Sequence, residues 1–278
     1  MNRIITYIIL FFIVVSFGCS KAKVDTNNLN DSSKNLVQAN NKETGASAPI
    51  KSSEDLTIKT SDNIDLSAKY FFTDGKKDEN QPLVILIHQF RQAKEQWKHD
   101  YIDSLIASGF KVLAYDIRGH GNSSKVSYNL GKLLDDPKEA PNDIIAVFKW
   151  AKEQTGIDSS RIGVIGTSIG GNLACYAALN LNAKVVVSVS NGKETFEIYT
   201  GYDERMMGRP YFPKFKNALF ICGNKDGGHE TGQKWIIDNF VESPKDLKVY
   251  DSDKHGKDLI DAFPEINLLT INWFKKYL

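Results

Sequence analysis

Arg161 to Gly171 reads RIGVIGTSIGG. The run Ile162-Gly163-Val164-Ile165 is short, apolar and β-branched, the composition of a parallel strand covered on both faces. Asn172 to Leu181 then reads as a helix. Between strand and helix stands Gly166-Thr167-Ser168-Ile169-Gly170, a serine at a tight turn with a glycine two residues away on either side. Such a turn crowds its neighbours, which accounts for the glycines, and it lifts the serine hydroxyl above the carboxyl edge of the sheet. The helix that follows directs its positive end at any anion formed there. A hydroxyl is a poor nucleophile until a base takes its proton and a third group orients that base. The chain must therefore supply a histidine and an acid elsewhere.

It supplies them downstream. The predicted strand Ala218–Cys222 leads into Gly223-Asn224-Lys225-Asp226, and the predicted strand Leu247–Tyr250 leads into Asp251-Ser252-Asp253-Lys254-His255-Gly256. Both loops open at the carboxyl ends of strands, where open α/β sheets bind ligands. Ser168, Asp226 and His255 thus follow the order serine, acid, histidine, and on this pattern the chain resembles the α/β-hydrolase superfamily. Upstream, the apolar run Pro82–Ile87 ends in His88-Gln89-Phe90, similar to the family's His-Gly-x turn. Lys111–Tyr115 leads into Asp116-Ile117-Arg118-Gly119-His120-Gly121-Asn122-Ser123, similar to the family's D-x-R-G-x-G-x-S landmark. The resemblance covers about Leu56 to the C-terminus.

The resemblance implies a catalytic set of Ser168, Asp226 and His255 and an oxyanion hole built from backbone N–H groups. Its donors are expected to be Ile169, just after the serine, and Phe90 or Gln89 in the turn after the third strand. Gln89 departs from the family, whose glycine allows close backbone approach at that place. The reaction implied is hydrolysis of a small-molecule carboxylic ester, or by similar chemistry a thioester or peptide-like amide, through an acyl-enzyme. No cofactor is implied. Serine at the elbow speaks against a dienelactone-hydrolase-like enzyme, which uses cysteine, and against dehalogenases and epoxide hydrolases, which use aspartate. The alternative of a different class is a catalytically idle domain of this fold serving as a binding module.

Other titratable residues compete for these roles. His229 lies close to Asp226 in sequence and is a second possible base; Asp203, Asp251 and Asp253 are alternative acids. His88 and His120 read as structural residues of their loops, and His99 as a surface position on a helix.

The chain has 278 residues, 41% of them hydrophobic, enough for one sizeable core. Its 35 basic and 34 acidic side chains leave a formal charge of +1, which offers no basic surface for nucleic acid. The spacing of His and Cys shows no metal-ligand cluster. Cys175 and Cys222 fall in a predicted helix and strand, where small buried residues need no redox role.

The N-terminal segment reads differently. Asn2-Arg3 gives a positive start, Ile4 to Phe17 is nearly all apolar, and Gly18-Cys19-Ser20 follows, so residues 1–18 are expected to be a signal peptide. A small residue before a cysteine there resembles a bacterial lipobox, with Ser16 where leucine is usual. That implies lipidation of Cys19 and an exported protein held on a membrane by its lipid. Residues 19–53, rich in Asn, Ser, Lys and Ala, are expected to be a flexible tether to a domain over 54–278.

Within that domain the pattern predicts strands at Leu56–Lys59, Asp65–Phe72, Leu83–Ile87, Val112–Tyr115, Arg161–Ile165, Lys184–Ser188, Ala218–Cys222 and Leu247–Tyr250. Helices are expected at Lys94–Ser108, Asn142–Thr155, Asn172–Leu181, Glu230–Phe240 and Leu259–Tyr277. The alternation implies an eight-stranded, mostly parallel sheet with helices on both faces. Asn191 to Asn217, with Tyr199, Tyr202, Met206, Met207, Tyr211 and Phe212, has room for one or two helices and not for a deep cap.

Overall fold

A computed structural model describes residues 51–203, 205 and 213–278. The expectations for residues 1–50, Cys19 included, and for Met206, Met207, Tyr211 and Phe212 lie outside the described residues. Eight strands form one sheet: β1 (Lys51–Lys59), β2 (Asp65–Thr73), β3 (Gln81–Ile87), β4 (Lys111–Tyr115), β5 (Ile157–Thr167), β6 (Val185–Val189), β7 (Ala218–Gly223) and β8 (Lys245–Tyr250). The helices are α1 (His99–Ala107), α2 (Lys132–Asp135), α3 (Ala140–Glu153), α4 (Ile169–Leu181), α5 (Lys193–Thr200), α6 (His229–Phe240), α7 (Lys257–Ala262) and α8 (Glu265–Tyr277).

The strand order is β1-β2-β4-β3-β5-β6-β7-β8. Only the β1–β2 and β2–β4 pairings are antiparallel; from β4 to β8 every pairing is parallel. This is the expected architecture, and its cause is visible in β3. Leu83, Ile85 and Ile87 enter one core while Val84 and Leu86 enter the other, so an unbroken apolar run is needed to satisfy both faces. Burying each such side chain is worth about 1.5–3 kcal/mol relative to exposure. Ile144 of α3, Leu173 of α4, Phe196 of α5 and Ile236 of α6 pack on the first face. Tyr101 and Leu105 of α1 and Ile266 and Phe274 of α8 pack on the second.

The differences from expectation have local causes. β1 begins at Lys51, paired with Thr73, so residues 51–53 belong to the sheet and not to a tether. The helix expected from Lys94 to Ser108 is a single turn, Lys94–Gln96, followed by α1. Tertiary bonds hold that turn apart: Asp116 takes both the backbone N–H and the ammonium of Lys94, each at 2.7 Å. The helix expected over Leu259–Tyr277 breaks at Phe263, because Pro264 offers no N–H and disfavours helical backbone before it. α5 fills part of the connection between β6 and β7, and no cap domain is built from the described residues.

Two buried cations tie the sheet to its loops. Lys111, fully buried at the start of β4, donates to the carbonyls of Lys77, Glu79 and Gly156. Arg118, just after β4, donates to Asp62 in the β1–β2 turn, to Glu139 and to Asp143 of α3. Burial opposes its charge, but the bonds to Asp62 and Asp143 outweigh burial and raise its pKa. Cys175 and Cys222 are buried free thiols, both pushed up to about 12 by burial, which leaves them inert.

Candidate active site

β5 runs directly into Ser168, which precedes α4 with φ 53° and ψ −116°. A side chain at such a backbone costs on the order of 1–3 kcal/mol. The turn is held by the Ser168 N–H donating to Val189 O at 2.8 Å. A Cβ on Gly166 would overlap the backbone of Gly170, and one on Gly170 would overlap the carbonyls of Ile87 and His88. Close approach, not flexibility, therefore demands both glycines.

Asp226 and His255 arrive from the loops after β7 and β8. Nδ1 of His255 lies 3.0 Å and 2.9 Å from the two carboxylate oxygens of Asp226, which is itself buried. A proton on Nδ1 satisfies that contact and leaves Nε2 as the open nitrogen. Gly256, the next residue, has φ 55° and ψ −116° and donates its N–H to Ser190 Oγ at 3.0 Å. A Cβ there would overlap Gln89 Oε1 and lie 3.5 Å from Thr167. The position after His255 thus has no room for a side chain between Gln89 and Thr167, the residue before Ser168. Asp203 instead pairs with Arg205, Asp251 with Lys225 and Asn224, and Asp253 with Lys254. None of these alternative acids bonds His255.

The turn after β3 explains the departure at Gln89. Its N–H donates to Gln96 Oε1 at 3.0 Å, so Gln89 is not a free oxyanion donor, contrary to one expectation. Its side-chain Oε1 accepts the Lys257 N–H at 2.7 Å, joining this turn to the start of α7 beside His255. Phe90 N–H makes no hydrogen bond among the described residues, and Ile169 is the first residue of α4, where helical N–H groups lack an intrahelical partner. These two N–H groups remain the candidate donors. Gln96 also donates to Thr167 Oγ1 at 2.8 Å, linking the turn to the residue before Ser168.

His88 and His120 are struts. His88 Nε2 accepts the Ile117 N–H at 2.9 Å while Nδ1 bonds Gln89 O at 2.7 Å, and burial lowers its pKa to about 4. His120 Nε2 accepts the Arg91 N–H at 2.9 Å and Nδ1 bonds Arg118 O at 3.0 Å. With both nitrogens of each ring committed, neither has a lone pair to spare. His99 is exposed at the start of α1, with its Nδ1 3.4 Å from Lys51 Nζ of β1.

His229 is placed differently. Its Nδ1 bonds Asn191 O at 3.2 Å, its Nε2 lies 3.8 Å from Asp226 Oδ1, and its ring centroid is 4.7 Å from that of His255. Ligand atoms of Asp226, His229 and His255 lie within 4.8 Å of one another, a cluster that sequence spacing did not disclose. Sequence reasoning also passed over Gln96, Ser190 and Asn191. Gln96 stands among other polar residues that face solvent, and nothing in its local pattern marks it out.

The matching family model is that of the alpha/beta hydrolase fold, over residues 82–236. The chain belongs to the α/β-hydrolase fold family. Among curated proteins, an uncharacterized 31.7 kDa protein of Escherichia coli is 35% identical over 108 residues, 38% of this chain and 36% of that protein. The matched stretch thus spans well under two thirds of that relative. A thiohydrolase of Aspergillus aculeatus is 24% identical over 206 residues, 72% of this chain and 57% of its own. Of solved structures, an esterase of Pyrococcus furiosus aligns with TM-score 0.60 and 20% identity over 81% of this chain and 93% of that one. Acetyl xylan esterase 1 of Thermoanaerobacterium sp. aligns with TM-score 0.62 and 20% identity over 84% and 86%. At such identity these structures share the fold.

Proposed function

We propose that this α/β-hydrolase-fold chain is a serine hydrolase that cleaves carboxylic esters through an acyl-enzyme. What carries the reading is Ser168: a non-glycine residue at a strained positive φ, at the junction of β5 and α4, on the edge where Asp226 and His255 meet. His255 Nε2 takes the Ser168 proton as the hydroxyl oxygen attacks the ester carbonyl, and Asp226 stabilises the imidazolium. The N–H groups of Phe90 and Ile169 receive the oxyanion; loss of one such donor typically costs on the order of 10²–10³-fold in rate. The imidazolium returns its proton to the departing alcohol, and water repeats the cycle on the acyl-enzyme. Serine at the elbow supplies an alkoxide-type nucleophile, and no cofactor enters any step.

A fluorophosphonate probe tests this directly, because it labels only an activated serine. Wild type labels and Ser168→Ala does not; an unlabelled wild type, or a labelled variant, overturns the reading and favours a binding module. A series of nitrophenyl esters from acetate to palmitate then ranks acyl length, short acyl groups being expected where the described residues build no deep cap. We further propose that Cys19 is lipidated after export and that residues 20–50 tether the domain to a membrane. Loss of the protein from the membrane fraction in Cys19→Ala checks this, and unchanged retention overturns it.

A further inference from the structure

We propose that Asp226, His229 and His255 form an inhibitory site for a borderline divalent metal ion of the Zn²⁺ type; its effect on activity rests on the serine-hydrolase reading above, its existence does not. His229 has no part in the mechanism, yet it is built like a metal ligand. Its Nδ1 is committed to Asn191 O, which leaves the lone pair on Nε2. A metal-bound imidazole almost always has its other nitrogen on a carbonyl or carboxylate in this way. Asn191 is held in turn by Gln233 Nε2 at 3.0 Å and bonds Asn172 Oδ1 at 3.3 Å, both buried partners.

Nε2 lies 3.8 Å from Asp226 Oδ1, too far for a hydrogen bond, and a cation between these two electron-pair donors would be held by both. His255 Nδ1 is 3.0 Å from the same oxygen. Ligands about 2.0–2.1 Å from a tetrahedral ion are about 3.3 Å apart, a value these two separations bracket. Two imidazoles and one carboxylate with a water in the fourth position suit Zn²⁺, Cu²⁺ or Ni²⁺ and do not suit Mg²⁺ or Ca²⁺. Access is open, since His229 is partly exposed and borders a surface cavity of about 330 Å³ with Gly192, Gly227 and Gly228.

The ion takes the place of the proton on His255 Nδ1. The neutral imidazole keeps one proton, now on Nε2, so no lone pair remains there to accept the proton of Ser168. The proton moves from Nδ1 to Nε2 of the same ring, none is released, the Asp226 carboxylate offsets one of the ion's two charges, and a chelator reverses the binding.

The test uses the full chain stripped with EDTA. Zn²⁺ is expected to block fluorophosphonate labelling at near-stoichiometric concentration, EDTA to restore it, and Mg²⁺ to leave it unchanged. His229→Ala and His229→Gln should label at close to the wild-type rate without metal and need at least about tenfold more Zn²⁺ for the same block. Co²⁺ in place of Zn²⁺ should give the intense visible absorption of tetrahedral coordination in wild type and lose it in both variants. That signal reads the metal site even in a chain that never labels, so the two proposals fail separately. Equal Zn²⁺ sensitivity of wild type and both variants, or no tetrahedral Co²⁺ absorption in wild type, overturns the site.

Discussion

Two helices of this molecule are entered through the same backbone conformation, α4 through Ser168 at φ 53°, ψ −116° and α7 through Gly256 at φ 55°, ψ −116°. Glycine takes that conformation without a Cβ penalty. At position 256 the fold uses it, and a side chain there would strike Gln89 Oε1. At position 168 the same geometry carries a hydroxymethyl group in spite of the strain. Folding alone favours glycine at both places, and at 168 the strain is accompanied by the one oxygen that the proposed chemistry needs.

The widest gap between the two positions should appear in Ser168→Gly. It removes the hydroxyl and keeps the backbone, so ester turnover and fluorophosphonate labelling should fall on the order of 10⁴-fold or more. Labelling that survives would erase the distinction between the two turns.

A second expectation concerns the turn after β3, which is held by a buried imidazole. Burial depresses the pKa of His88 to about 4. The unfolded chain therefore binds that proton first as pH falls below about 6.5, and the stability gained by keeping the ring neutral is full above that pH and lost on the way down to about 4. The loss amounts to about 3 kcal/mol. Urea unfolding at pH 7 and pH 4 measures it, and His88→Gln should flatten the difference; an equal slope in the variant would remove His88 from the account.

Gly256→Ala tests the other turn, and should cost about 2 kcal/mol in urea unfolding from positive-φ strain and the collision with Gln89. The smallest effect returns to Ser168→Gly, which should gain about 1 kcal/mol of stability while inactive. A variant that is less stable than wild type would mean that Ser168 is not strained.

The sheet was largely legible because β3, β6, β7 and the second half of β5, from Ile162, are buried on both faces and announce themselves as apolar runs; the polar first part of β5, residues 157–160, was missed. Ser168 and Asp226 were legible as candidates because each follows such a run, and His255 because it follows β8, a short margin strand with no fully buried residue. The rest depends on contacts between residues distant in sequence. The break after Gln96 is set by Asp116 and Thr167, and the N–H of Gln89 is withdrawn by Gln96. The cluster around His229 is assembled by Asn191, which arrives from the loop after a different strand. No periodicity within one segment encodes these. Lys111 makes the same point, because a lysine at the start of a strand gives no sign that three carbonyls from two loops enclose it.

Arg118 gathers the β1–β2 turn, the start of α3 and the loop after β4 around one guanidinium with its side chain 2% exposed. A two-stranded ribbon at a sheet margin would ordinarily fray ahead of the body it leans on. Here, opening it strips carboxylates from a sequestered cation, so the margin is bound to the cooperative unit, and amide protons along β2 should exchange with solvent on the timescale of those in β4.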